Sequence, residues 1–343
     1  MKKPLRRVVC FAAPVLALFF LFACSRQNVD IYITGAEVLE DGNRLAVYWK
    51  NGSRVALSDS NGSSWAFSIA VDGADVHIAG VEVTEQGKHQ AVYWKNGVKT
   101  VFYDDSYSTW ASSIYVSGDD AYIAGRKMNE QGKFSAVLWK NGARIALSDS
   151  PLSSMAYDLA VSGEHIYVSG VDSNGEPPGV KAVYWKNGEQ VVISDHSGNA
   201  DVRAMALHGA DMYVAGKDDA VAVYWKNGEM VVLTDGMDIA NVSSIVVSDS
   251  NVYVAGNEID SNGRAVAVYW KNGRKTVLTE SGHSGTASAA ALNGERLYIA
   301  GRDVSANNVR SAVYWDNGRR ITLARGENVV SAEAYAIAIK PRR

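Results

Sequence analysis

Cysteine is almost missing from this 343-residue chain, and the two present, Cys10 and Cys24, both fall within the first 24 residues. The main body therefore has no disulfide framework and no cysteine metal site. An excess of one charge is missing too: 34 Lys+Arg stand against 37 Asp+Glu, a formal net charge of -3. That balance leaves no electrostatic footprint for a nucleic-acid partner. Proline is scarce at 6 residues while glycine reaches 31, a balance that suits many tight turns between short strands. The six histidines (77, 89, 165, 196, 208, 283) show no ligand spacing,. No Gly-x-Ser-x-Gly elbow, His-Glu-x-x-His helix or phosphate loop occurs,. No cofactor and no metal is expected. Hydrophobic residues at 47% and charged residues at 21% exclude a disordered chain,.

The one long apolar run, Val8 to Ala23, follows Lys2, Lys3, Arg6 and Arg7. A positive flank before a short apolar stretch is the layout of a secretory signal, and the run is short for a spanning helix. It ends Leu21-Phe22-Ala23-Cys24-Ser25, which resembles the lipobox of bacterial lipoproteins, although Phe22 stands where a small or β-branched residue is usual. The resemblance implies cleavage after residue 23, acylation (palmitate among the acyl groups) of Cys24, and a short tether over 24–29. Ser25 in place of Asp then favours the outer membrane of a Gram-negative cell envelope. Loss of residues 1–23 would leave a body near -7. An uncleaved anchor, or an ordinary signal peptide with a chance cysteine, is the alternative reading.

What fills the remaining chain is repetition. Tyr-Trp-Lys-Asn-Gly or a close variant recurs with tryptophans at 49, 94, 139, 185, 225, 270 and 315. A second string, of the type Tyr213-Val214-Ala215-Gly216, ends at Gly35, Gly80, Gly125, Gly170, Gly216, Gly256 and Gly301. Each copy parses into four short strands. In residues 111–149 they are 111–117, 121–127, 134–140 and 143–148, with Asn141-Gly142 as the last hairpin turn,. Adjacent Tyr and Trp on the third strand point to opposite faces, so both faces are expected to be buried between stacked sheets. The expectation is an all-β, seven-bladed β-propeller over residues 30–340 with a basic tail at 341–343. The first copy lacks a first strand, and Ala334–Ile339 supplies one at the other end, closing the ring without free edges.

Passage lengths separate two faces. First-to-second and third-to-fourth connections are constant, whereas second-to-third passages run 14, 14, 14, 15, 9, 14 and 14 residues. Alternating strand direction puts the constant turns on a bottom face and the variable connections on a top face, where binding residues are expected. The shortened loop at 217–220 beside the long loop at 172–180, with Pro177-Pro178, suggests a notch between blades 4 and 5. Near the upper rim of the channel one repeat position carries Trp65, Trp110, Met155, Asp201, Asn241, Thr286 and Glu333. Two residues further on stand Phe67, Ser112, Tyr157, Arg203, Ser243, Ser288 and Tyr335. From these, Trp65, Trp110, Met155, Tyr157, Asp201, Arg203, Glu333 and Tyr335 are the candidate ligand-face residues, as a stacking platform or as wedges between blades. Asp59, Asp104, Asp149, Asp195 and Asp235 recur after the fourth strand, where Asp side chains satisfy turn amides; a calcium ring is the alternative. The Lys-Asn-Gly lysines are assigned to solubility, offset by Asp72, Asp119 and Asp211.

The strand order and the "YVAG" passage resemble bacterial propellers of the YVTN type, and the AVYWKNG and LTDG strings resemble propeller lipoproteins. Ser58 to Trp65 approaches the Asp box of sialidase-type propellers, with Ser60 in the aspartate position. That box is structural and does not argue for glycan hydrolysis. The functional expectation is a membrane-anchored, monomeric, non-catalytic binding or assembly scaffold for a protein or glycan ligand. The alternative is a carbohydrate-active enzyme, a glycan hydrolase or lyase, using top-face carboxylates such as Asp201 and Glu333.

Overall fold

The computed structural model describes residues 29–59, 62–102, 107–148, 152–173, 179–194, 200–236 and 239–342. Cys24, the signal and most of the tether, Asp104, Asp149, Asp195, Pro177-Pro178 and Arg343 lie outside the described residues. The chain forms seven antiparallel four-stranded sheets, the seven-bladed propeller expected from the repeats. Blade 1 comprises Val29–Leu39, Arg44–Lys50 and Ser53–Ala56, and receives its innermost strand, Val329–Pro341, from the far end of the chain. That strand pairs with Val29–Leu39 from Val29↔Pro341 to Leu39↔Val329 and closes the ring. Blades 2 to 7 follow in order, each running from an inner strand to an exposed four-residue outer strand.

Local chemistry explains the repeated strings. At each Asn-Gly hairpin both residues take positive φ, as in Asn51 (52°) and Gly52 (84°), the geometry a type I′ turn demands. The Asn side chain then reaches the start of the second strand. Asn96 Oδ1 accepts the Val76 N–H at 2.9 Å while its Nδ2 donates to Asp75 at 2.8 Å; Asn51, Asn141 and Asn227 repeat both bonds. The neighbouring lysines pair with the same acids: Lys95 with Asp75, Lys140 with Asp120 and Lys226 with Asp211. Two of the acids expected from the sequence, Asp72 and Asp119, are thus replaced by Asp75 and Asp120. The hairpin lies over the first residue of the second strand, not over the turn before it. The C-terminal basic residues are held as well, Arg342 on Asp30 at 2.6 Å and Lys340 on the Gly73 carbonyl.

The core lies between blades. Trp49, Trp94 and Trp185 are wholly buried, while Tyr48 on the opposite face is half-buried against the cluster formed by Ile69, Ile78 and Trp94 of blade 2. Both faces of each sheet are therefore covered, except where the outer strands meet solvent. Inner strands are latched to one another by side chains. Ser68 accepts the Ile114 N–H at 3.1 Å and Ser244 accepts the Ala290 N–H at 3.0 Å. In blade 4 the same position is Asp158, which accepts from Ser113 Oγ in blade 3 (2.7 Å) and from the Met205 N–H in blade 5 (2.9 Å). Burial pushes its carboxyl above the ordinary range, against the hydrogen bonds that hold it down,.

Candidate functional site at the channel mouth

The site is built on an irregularity common to all seven blades. Between the inner and second strands the register slips by one residue at the same place, for example between Ala66 and Ser68, and between Ala156 and Asp158. The skipped residues are Phe67, Ser112, Tyr157, Arg203, Ser243, Ser288 and Tyr335, the second of the two variable positions. A bulge of this kind re-aims a side chain that regular pairing would send elsewhere. It also explains the glycine that ends the YVAG string. A Cβ at Gly80 would stand 1.9 Å from the Trp65 carbonyl oxygen, and one at Gly125 would stand 1.9 Å from that of Trp110. Only glycine lets the bulged strand approach so closely.

Six of the seven bulge residues line one cavity of about 520 Å³ that opens at the upper end of the channel: Phe67, Ser112, Tyr157, Arg203, Ser243 and Tyr335. Trp110, Asp201, Asn241 and Val242 join them from the inner strands, and Arg126 and Lys217 from the second strands. Five of the eight candidate residues thus meet here: Trp110, Tyr157, Asp201, Arg203 and Tyr335. Trp65, Met155 and Glu333 stand behind this lining, holding its members. The blade 5 hairpin beside Lys217 is a two-residue turn, Asp219-Ala220, with Asp219 at φ 51°; in blade 2 the equivalent connection spans five residues, 84–88. The wall is therefore lowest at blade 5.

The aromatic rings turn their faces toward the protein's own side chains. His89 lies between Trp65 and Trp110, with ring centroids 6.4 and 4.8 Å away. Arg126 covers Trp110 at 4.9 Å and Phe134 at 5.3 Å, and Arg203 covers Tyr157 at 4.5 Å. Phe67 and Tyr335 lean on each other at 5.6 Å. What the rings give the cavity is a set of backed cations, since a guanidinium over a ring face is held by the ring quadrupole. Burial lowers the pKa of His89, and the Arg126 charge lowers it further, so the middle of this stack is neutral at physiological pH.

The carboxylates are already engaged. Asp201 receives Arg203 Nε at 2.8 Å and Nη2 at 2.7 Å. Glu333 receives Arg302 at 2.7 Å and the Tyr335 hydroxyl at 3.1 Å. Burial raises the Glu333 pKa, but the bond and charge of Arg302 outweigh burial and hold the carboxyl below its ordinary value. Burial and the adjacent Glu333 charge push the Tyr335 hydroxyl up.

Arg126 and Lys217 went unnoticed in the sequence. Both stand one residue past the YVAG glycine, a column that reads Ala36, Val81, Arg126, Val171, Lys217, Asn257 and Arg302. Its mixture of three apolar and three cationic residues was the available signal. One residue further, an acid pairs across its own blade with the outer strand, as in Glu37–Arg54 (2.6 Å), Glu82–Lys99 (2.7 Å) and Asp303–Arg320 (2.7 Å). Blade 3 carries Lys127 in that place. Among the described residues no group of three or more His, Cys, Asp or Glu side chains is arranged to hold a metal.

No protein-family model and no curated protein matches the chain. Solved structures do. Acylaminoacyl peptidase from Pyrococcus horikoshii superposes with a TM-score of 0.56 at 16% identity, over 88% of this chain and 51% of that one. A puromycin-hydrolysing peptidase from Mycobacterium tuberculosis gives 0.57 at 11% identity, over 86% and 52%. This chain spans about half the length of either peptidase. The β-propeller domain of the Trilobed protease from Pyrococcus furiosus gives 0.55 at 14% identity over 88% of this chain and 93% of that domain. These likenesses establish the propeller fold. The Pyrococcus furiosus domain is described as having an open velcro topology, whereas here the last strand pairs with the first and shuts the ring.

Proposed function

We propose that this protein is a non-catalytic binding propeller that takes its ligand at the upper channel mouth while a lipid on Cys24 holds the opposite face toward the envelope membrane. The observation that carries this reading is the bulge. One backbone geometry, repeated seven times, carries side chains of four types, Phe, Ser, Tyr and Arg, and six of the seven converge on one cavity. A merely structural position would be expected to repeat its residue as the tryptophan and glycine positions do. The anchor fits the same orientation, because Val29 pairs with Pro341 at the end of the sheet away from the mouth. The competing reading, a carbohydrate-active enzyme, finds its two carboxylates each bound to an arginine at 2.7 Å. A general acid needs a raised pKa, and that of Glu333 is lowered.

The test places a photo-crosslinking residue at Ser112 or Ser243 in living cells, with Lys140 on the bottom hairpin as control. Crosslinks are expected from the mouth positions and should be lost with Arg203→Ala. Equal yields from Lys140, or no product from the mouth, would refute the reading. Cys24→Ala should move the protein from the membrane to the soluble fraction.

A further inference from the structure

Within this reading of the mouth as a binding site, the geometry points to its ligand class: an acidic sugar, whose carboxylate is taken by the Arg126 guanidinium and whose hydroxyls are taken by the surrounding serine, asparagine and aspartate side chains.

The argument starts from how the ring treats the cations in the column after the glycine. In two blades the cation reaches the first variable position of the next inner strand and finds an acceptor there. Arg302 of blade 7 meets Glu333 of blade 1 at 2.7 Å, and Lys217 of blade 5 donates to Asn241 of blade 6 at 3.2 Å. Arg126 of blade 3 has Met155 at the corresponding position of blade 4. A thioether is a weak acceptor, and Met155 Sδ already faces the Tyr157 hydroxyl at 3.5 Å. Among the described residues Arg126 makes no ion pair, and its buried Nε has no hydrogen-bond partner. Leaving a buried donor unsatisfied carries a real free-energy cost. Trp110 and Phe134 nevertheless hold the guanidinium in the cavity wall. Burial pulls its pKa down; the Tyr157 hydroxyl opposes this and nearby Arg203 adds to it.

The charge count of the lining agrees. Arg126, Arg203 and Lys217 face one acid, Asp201, in a chain that is net negative as a whole. A planar guanidinium matches a carboxylate in two parallel hydrogen bonds. The other polar groups of the lining, Ser112, Ser243, Asn241 and Asp201, are short donors and acceptors spaced around the mouth, which suits a polyhydroxylated ring better than an apolar side chain. A cavity of about 520 Å³ lies within the range of small-ligand pockets.

Blade 1 supplies the decisive variant. Its Glu333 and Tyr335 occupy the positions held in blade 4 by Met155 and Tyr157. Met155→Glu therefore rebuilds the arginine–glutamate–tyrosine arrangement beside Arg126 and neutralises it without removing a cation. The experiment is calorimetric titration of the full chain, purified in detergent, with digalacturonate, maltose and citrate. Digalacturonate is expected to bind at least tenfold more tightly than either of the others. Met155→Glu and Arg126→Gln should each weaken it at least tenfold, with Met155→Glu melting no lower than wild type. Equal affinity for maltose, or digalacturonate affinity unchanged in a folded Met155→Glu, would overturn the carboxylate contact. Equal affinity for citrate would overturn the sugar. Failure of digalacturonate to bind while crosslinks from Ser112 persist would overturn this inference alone; loss of those crosslinks would overturn the binding site itself.

Discussion

The seam between blades 7 and 1 and the seam between blades 3 and 4 have the same backbone and opposite chemistry. In both, a glycine admits the bulged strand, and in both an arginine follows that glycine on a half-buried strand. At the first seam Glu333 pairs with Arg302 and accepts the Tyr335 hydroxyl, although the buried Nε of Arg302 has no partner, as in Arg126. At the second, Met155 replaces the acid, and among the described residues Arg126 has aromatic rings and no ion-pair partner. The difference teaches that repeat geometry and repeat chemistry are separable. The bulge recurs in every blade, whereas the cation after the glycine meets an acid at one seam and a thioether at the other.

The largest effect should come from attacking what the two seams share. Gly125→Ala and Gly301→Ala would set a Cβ 1.9 and 2.0 Å from a carbonyl oxygen, and each should cost on the order of 3 kcal/mol in thermal or denaturant unfolding. A large inequality between them would break the claim of a common backbone. Next comes Asp158, which ties blade 4 to blades 3 and 5. Asp158→Ala should cost about 2 kcal/mol through the donors it leaves unpaired, while Asp158→Ser, the residue found at 68, 113 and 244, should recover most of it.

Glu333→Gln sharpens the contrast more gently. It leaves Arg302 as uncompensated as Arg126, at a cost of about 1.5 kcal/mol at neutral pH, since the pair is only partly buried. Because the folded pKa of Glu333 is lowered, its contribution is present above the ordinary carboxylate value and is lost as pH falls through the folded one,. The gap between variant and wild type should therefore close in acid, and a constant gap would refute the assignment. The smallest effect belongs to His89. Its lowered folded pKa means that its contribution is complete above about 6.5 and is lost as pH falls from there through the folded value,. His89→Phe should flatten that part of the stability profile, and an unchanged profile would move the titration elsewhere.

Much of this molecule could be read before folding. The Trp49-type and Gly80-type residues repeat because their neighbours repeat: the glycine faces a carbonyl oxygen in all seven blades and the tryptophan ring in five of them. Identical environments leave a periodic trace in sequence. The mouth was legible only by position. Trp110, Tyr157, Asp201, Arg203 and Tyr335 fell where the repeat placed them, but the faces of Trp110 and Tyr157 turned out to be covered by Arg126 and Arg203. Nothing local reveals that, because the ring and the cation that covers it can lie on different strands or blades. Lys217 and Arg126 were hidden for the same reason, in a column that mixes three apolar residues with three cations and an asparagine.

The sequence alone determined the number of blades, the strand order and the closing strand, since hairpin turns and alternation are local properties copied seven times. It also marked which positions vary. Only the tertiary structure decided what the variation means. Whether a cation is satisfied depends on the residue that the next blade brings to it, and for Arg302 and Arg126 those residues, Glu333 and Met155, lie about thirty positions further along the chain. Electrostatic pairing is set by distance in space, so the fold was written in the repeat and the site in the packing of one blade on the next.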